Sequence, residues 1–135
     1  MNYTFTKEER LCSKRHIDGL FHNGSSFVIY PYRVVFLARE DHSSAIPVQC
    51  IISVSKRRFK KAVDRNALKR RMREAYRLQK HTLHSFLREH ALHLTVAFQY
   101  VGKEKVAYTQ LHQRMELVLG KLSDECTKIY LGKNN

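Results

Sequence analysis

Between Lys56 and Lys80 the sequence reads KRRFKKAVDRNALKRRMREAYRLQK, with twelve Lys or Arg against two acids, Asp64 and Glu74. That net of +10 is most of the chain's formal +13. These residue types bind phosphate: ammonium groups act as point charges, and guanidinium forks match phosphate oxygens and base edges. The spacing sharpens the reading. Lys61, Arg65, Lys69, Arg73 and Arg77 follow one another at i, i+4. A solvated helix face normally interleaves opposite charges at that interval, because each like-charged pair costs about 0.2–0.5 kcal/mol. A ladder that is locally unfavourable makes sense if an anion relieves it. Asn66, in its middle, can both donate to and accept from a sugar or base. The run therefore points to nucleic acid.

Catalytic chemistry of the chain's own is not indicated. A metal nuclease needs clustered carboxylates, and the twelve acids are mostly scattered. The adjacent pairs Glu8-Glu9, Glu40-Asp41 and Asp124-Glu125 fall where loops or helix surfaces are expected. Eight histidines gather partly in KHTLHSFLREHALH, with His81 and His84 at i, i+3. No carboxylate or cysteine joins them closely, so they read as exposed linker histidines that charge only on acidification. Cys12, Cys50 and Cys126 show no C-x-x-C spacing, so neither a zinc site nor a disulfide framework is expected. Unpaired thiols suit a reducing cytosol. With no apolar run of signal-peptide or membrane-span length, the expectation is a cytoplasmic protein with no membrane partner.

The elements that position this chemistry are legible from periodicity. At 135 residues, 43% of them apolar, the chain reads as one domain, 1–135, able to bury a real core. CSKRHIDGLFHNGSS predicts a short helix, capped by Ser13 and stopped near Gly24, with Ile17, Leu20 and Phe21 as its stripe. FVIYPYRVVFLARE predicts strand, its first part kept at an edge or bulge by Pro31 and able to form an extra strand. From Tyr32 one face carries Tyr32, Val34, Phe36 and Ala38, and the other Arg33, Val35, Leu37 and Arg39. A loop at Asp41 to Pro47 leads to a strand at Val48 to Ser55, and the short connection favours an antiparallel pair. A helix follows from about residue 60, burying Ala67, Leu68, Met72, Ala75 and Leu78 with Tyr76 beside them. His93 to Val101 is another strand, and a long helix from about Thr109 ends the chain. Helices against a small sheet make an α/β sandwich.

Several partners remain compatible with this much: RNA, DNA, or a structural RNA-binding role of ribosomal type. DNA is disfavoured because a strand, not a second helix and turn, precedes the basic helix. RNA recognition combines phosphate contacts with stacking of unpaired bases, and the seven Tyr and seven Phe permit it.

The central run is more specific than its charge. ISVSKRRFKKAVDRNALKRRMREAYR, Ile52 to Arg77, resembles the signature of the protein subunit of bacterial ribonuclease P. The matching pieces are Ser53-Val54-Ser55-Lys56-Arg57, Arg65-Asn66, Lys69-Arg70 and Arg73-Glu74-Ala75-Tyr76. Leu11 with the helix ending in GLFHNGSS resembles the family's N-terminal segment, and LHLTVAFQYVGKEKVAYTQLHQRMELVL its final strand and helix. One departure stands out: Ala67 occupies the third place of the family's Arg-Asn-Arg, where an RNA contact is expected.

The resemblance implies a two-layer α/β (α+β) sandwich with a small mixed or antiparallel sheet and a left-handed βαβ crossover, an exception to the usual right-handed rule. It implies a catalytic RNA as partner, which holds Mg2+ and cleaves the 5′ leader from precursor tRNA. By position, Lys56, Arg57, Lys61, Arg65, Asn66, Lys69, Arg70, Arg73 and Arg77 would face that RNA. Ile17 and Phe21, with Val34 and Phe36 if one residue is inserted near Pro31, would line a cleft for the single-stranded leader. Without the insertion the strand positions shift by one.

Overall fold

The computed structural model describes residues 5–39 and 46–132. An N-terminal strap, residues 5–12, contains a 3-10 turn at Lys7–Glu9. It is followed by α1 (Lys14–Asn23), β1 (Ser25–Ile29), β2 (Tyr32–Ala38), β3 (Val48–Val54), α2 (Ala62–Glu89), β4 (Leu94–Tyr100) and α3 (Tyr108–Tyr130). The four strands form one mixed sheet in the order β1-β2-β4-β3. The β1–β2 and β2–β4 pairs are antiparallel, and β3 runs parallel to β4 with α2 as the crossover. The loop expected at Asp41 to Pro47 lies mostly outside the described residues.

Alternation sorts the sheet into two faces as the sequence predicts. Tyr32, Val34 and Phe36 enter the main core with Val96 and Phe98 of β4 and the buried sides of α2 and α3. Val35 turns the other way and meets Leu11, Leu20 and Ala97, with Ile17, Leu37 and Ile51 at the margin. The main sandwich is thus α2 and α3 on one face, and the shorter α1 covers part of the opposite face. Pro31 splits the first strand segment into a hairpin, and β1 becomes the edge strand anticipated for a segment ending in proline.

Of two local expectations at α1, one holds and the other changes its reason. Ser13 caps α1 by accepting from the His16 amide at 3.3 Å. Gly24 ends α1 at an ordinary φ of −76°, so the left-handed backbone usual at helix ends is not why glycine stands there. A Cβ at this position would sit 2.4 Å from the Leu20 carbonyl oxygen and 2.9 Å from that of Phe36. Only glycine lets the end of α1 approach β2 so closely.

The strand at Val48 does not pair with β2. β4 stands between them, for a physical reason: Leu94–Phe98 is buried on both faces, as a central strand with parallel pairing requires. On α2, Leu68, Met72, Ala75 and Tyr76 are fully buried as predicted, whereas Leu78 is 40% exposed and Ala67 only partly covered. The histidine segment is no linker, because α2 continues through it to Glu89.

Candidate nucleic-acid interface

Most of the cations of the 56–80 run divide into two populations. One is consumed within the fold. Arg65 Nη1 donates to the carbonyls of Phe59 and Lys60, both at 2.8 Å, and pins the turn that leads into α2. Arg58 donates to the Val101 carbonyl at 2.8 Å and Arg71 to that of Val106 at 3.2 Å. Arg77 pairs with Glu74, Nε to Oε1 at 3.0 Å, which lowers the Glu74 carboxyl and raises the guanidinium from their ordinary values. The other population has no carboxylate partner among the described residues: Lys56, Arg57, Lys61, Lys69, Arg70 and Arg73.

Geometry collects this second group. At 3.6 residues per turn, its members within α2, Lys69, Arg70 and Arg73, fall with Asn66 and the Glu74-paired Arg77 within about 100° of arc, and Lys61 stands apart at the N-cap. Asn66 and Arg70 are exposed, and Lys69 and Arg73 are partly so. Lys56 and Arg57 lie exposed in the turn after β3. Arg65 does not join the outward arc, since its side chain returns to the loop carbonyls. The i, i+4 ladder therefore spirals from the buried side to the open side instead of forming one face.

The strap and the far half of α2 meet in a polar cluster that the sequence concealed. Lys80 Nζ sits 2.7 Å from both carboxylate oxygens of Glu9, and both side chains are only 3% exposed. Glu9, read from sequence as a surface acid, is buried because its carboxylate also receives the Thr6 amide and hydroxyl. His84 is 4% exposed, with Nε2 3.0 Å from the Tyr76 hydroxyl. Burial pushes the His84 ring down to about 4 and holds the Tyr76 hydroxyl protonated well above its usual range. A Tyr76 hydroxyl donating to a neutral imidazole satisfies both. His84 is thus a structural core group, contrary to the expectation of a solvent-exposed histidine.

On the opposite sheet face, α1 leaves part of the surface open. Val28, Arg33, Gln99 and Ser53 lie in register across all four strands. Arg33 Nη1 donates to Gln99 Oε1 at 2.7 Å. A cavity of about 180 Å³ continues this row past Ser55, Arg58 and Val101. Tyr30 is half exposed, its hydroxyl accepting from the Lys103 amide at 3.3 Å. Ile17 packs at the margin of the cluster under α1, and Phe21 is 46% exposed. Val34 and Phe36 do not belong to this face: both are 0% exposed in the main core. The shifted alternative is the one the alternation supports, with Arg33, Val35 and Leu37 facing the α1 side. Tyr30 and Gln99 also stand on this face and were not among the residues expected from the sequence. Tyr30 stands two residues after Val28, the partner of Arg33, so period 2 along the first arm of the hairpin leads to it.

No group of three or more His, Cys, Asp or Glu able to hold a metal ion occurs among the described residues. Four of the acids that a metal site would use are committed to cations: Glu9 to Lys80, Glu74 to Arg77, Asp64 to Lys105 and Glu125 to Lys121. No described helix is long and apolar enough to cross a membrane.

Comparison with known proteins bears on the family and the fold. The Ribonuclease P family model matches residues 5–123. The ribonuclease P protein component of Porphyromonas gingivalis is 37% identical over 121 residues, covering 90% of this chain and 88% of that protein. The corresponding protein of Acinetobacter baylyi is 29% identical over 126 residues, 93% of this chain and 88% of its own length. In fold, the RNase P protein of Staphylococcus aureus superposes with a TM-score of 0.66 at 21% identity, covering 84% of this chain and 94% of that one. That of Thermotoga maritima gives 0.64 at 22% identity, covering 84% and 96%. With a basic helix whose unpartnered cations are gathered on one side, and a family match over nearly its whole length, this chain belongs to the Ribonuclease P family, the RNA-binding protein subunits of the endoribonuclease that matures tRNA 5′ ends.

Proposed function

We propose that the outward arc of α2, Asn66, Lys69, Arg70 and Arg73, together with Lys56 and Arg57, holds the catalytic RNA of ribonuclease P. The open row on the other sheet face, with Ile17 and Phe21 at its α1 side and Tyr30, Arg33 and Gln99 along it, takes the single-stranded leader of precursor tRNA. The division of the cations carries this reading. Those with internal partners build the fold, and those without are left for an external polyanion, which is also what makes the like-charged arrangement on α2 tolerable. Leader binding on a sheet beside aromatic groups follows the general physics of unpaired RNA, stacking plus phosphate contact, and needs no base-specific code. Mg2+ would be held by the RNA, whose phosphates supply the oxygen ligands that the protein's own paired acids do not. The free thiols suit a cytoplasmic setting.

Cleavage of a 5′-extended precursor tRNA by a bacterial ribonuclease P RNA at low Mg2+ tests this, with and without the protein. The double variant Lys69→Ala/Arg70→Ala is the informative one, because among the described residues neither side chain has an ion-pair partner. Wild-type protein is expected to promote cleavage, and the variant to lose about tenfold or more in RNA affinity while melting like wild type. Protein that binds the RNA and never stimulates cleavage would leave only a general RNA-binding role.

A further inference from the structure

We infer that the cleft between the N-terminal strap, the outer edge of β3 and α2 receives one unpaired nucleotide of the partner RNA, its base in the cleft and its phosphate between Arg10 and Arg73. This rests on the RNA-binding reading above and adds to it a contact with a base rather than with the backbone.

The cleft has a volume of about 210 Å³ and is lined by Phe5, Arg10, Leu11, Cys12, Ile52 and Arg73, with Cys50 at its floor. That is several times the roughly 30 Å³ share of a water and below the ~300–1,000 Å³ of drug-sized sites. One ring system suits it, and a helix or strand pair does not. Its interior is apolar, yet it holds two guanidiniums and no carboxylate. Among the described residues neither Arg10 nor Arg73 has an ion-pair partner. Arg10 instead lies over the Phe5 ring, 5.9 Å from its centroid.

The walls are fixed before any ligand arrives. The Leu11 amide donates to the Cys50 carbonyl at 2.8 Å, Gln49 Nε2 donates to the Glu8 carbonyl at 3.0 Å, and the Phe5 ring stands edge-on to Tyr76 with centroids 6.0 Å apart. Such preorganisation lowers the ordering cost of binding. The bridge at Cys50 turns that residue's backbone toward the strap. By alternation Ile52 turns its amide and carbonyl the same way, giving a base edge a donor and an acceptor. Arg73 lies on the same arc of α2 as Lys69 and Arg70, so the cleft is continuous with the cationic track. Stacking on aromatic rings and guanidinium planes is how splayed bases are held elsewhere.

Cys12 provides the test. It is exposed at the cleft, whereas Cys50 and Cys126 are buried, so N-ethylmaleimide should modify Cys12 selectively in the full chain. The rate is followed by mass spectrometry for free protein and for protein saturated with bacterial ribonuclease P RNA. Bound RNA is expected to slow modification about tenfold or more, and Arg10→Ala to abolish that protection with roughly a fivefold loss of RNA affinity. Lys69→Ala/Arg70→Ala, at saturating RNA, should still protect Cys12, which separates the cleft from the track. RNA-bound wild-type protein whose Cys12 reacts at the free rate overturns the inference while leaving the RNA-binding reading intact. Equal protection by inorganic phosphate at matched ionic strength overturns the base contact and leaves an anion site only. Failure of the unmodified protein to bind the RNA removes both readings.

Discussion

His84 lies among Lys80, His81, Arg88 and Glu9, and burial, the largest influence on it, brings its ring down to about 4. An unfolded chain protonates this histidine near its ordinary value of about 6.5. Between those values the unfolded state binds a proton that the native state refuses, so stability is full above about pH 6.5 and falls as pH drops toward 4. The expected loss over that window is roughly 3 kcal/mol. Urea unfolding midpoints measured from pH 7 to pH 4 should show it, and His84→Gln should flatten that part of the curve. Individual residues were unevenly legible. Ser13 was read correctly because a cap is a local event. Gly24 was placed correctly at the helix end, but its need for hydrogen at Cα comes from the Leu20 and Phe36 carbonyls, one of them on another element. His84 was misread because spacing along the chain does not tell how far a helix continues under a neighbour.

The strap shows the same limit at the scale of elements. Residues 5–12 carry no periodicity, so nothing in the sequence announced that they would cover the edge of β3 and clamp to α2 through Glu9 and Lys80. Glu9→Gln removes the carboxylate that lies 2.7 Å from the buried Lys80 ammonium, and the expected cost is about 3–5 kcal/mol. Replacing both, as Glu9→Gln/Lys80→Met, should recover most of it, which chemical denaturation of the two variants checks. α2 was more legible, since its core positions Leu68, Met72, Ala75 and Tyr76 and its open side follow from a period of 3.6. What periodicity could not supply was the use of each arginine. Arg65 and Arg70 look equivalent in sequence, yet one holds a loop and the other faces outward. The sheet order was the larger miss. A short connection suggested that β2 and β3 pair, but the doubly apolar β4 displaces that arrangement. Likewise Val34 and Phe36 were assigned to the open face by a register one residue out, and in a strand that error reverses every side chain.

For the whole molecule, a formal charge of +13 with most of it in one segment makes the ionic atmosphere part of its stability and its binding. With about six phosphate contacts, the log of the RNA affinity should fall with the log of salt at a slope of roughly −4 to −5. Arg70→Ala should reduce that slope by about 0.7–0.9, whereas Arg65→Ala should act mainly on stability, and binding isotherms over a salt series distinguish them. The placement of β4 between β2 and β3 has a consequence of another kind, in the order of manufacture. Until Leu94–Tyr100 has been synthesised and released, β2 and β3 have no common neighbour and α2 lacks the middle of the sheet it packs on. Synthesis delivers the basic run before the strand that gives it a scaffold. A nascent chain thus presents its polycation first without the middle of the sheet that α2 packs on and as a scaffolded surface only once β4 has emerged, and any RNA close to the ribosome meets those two objects in that order.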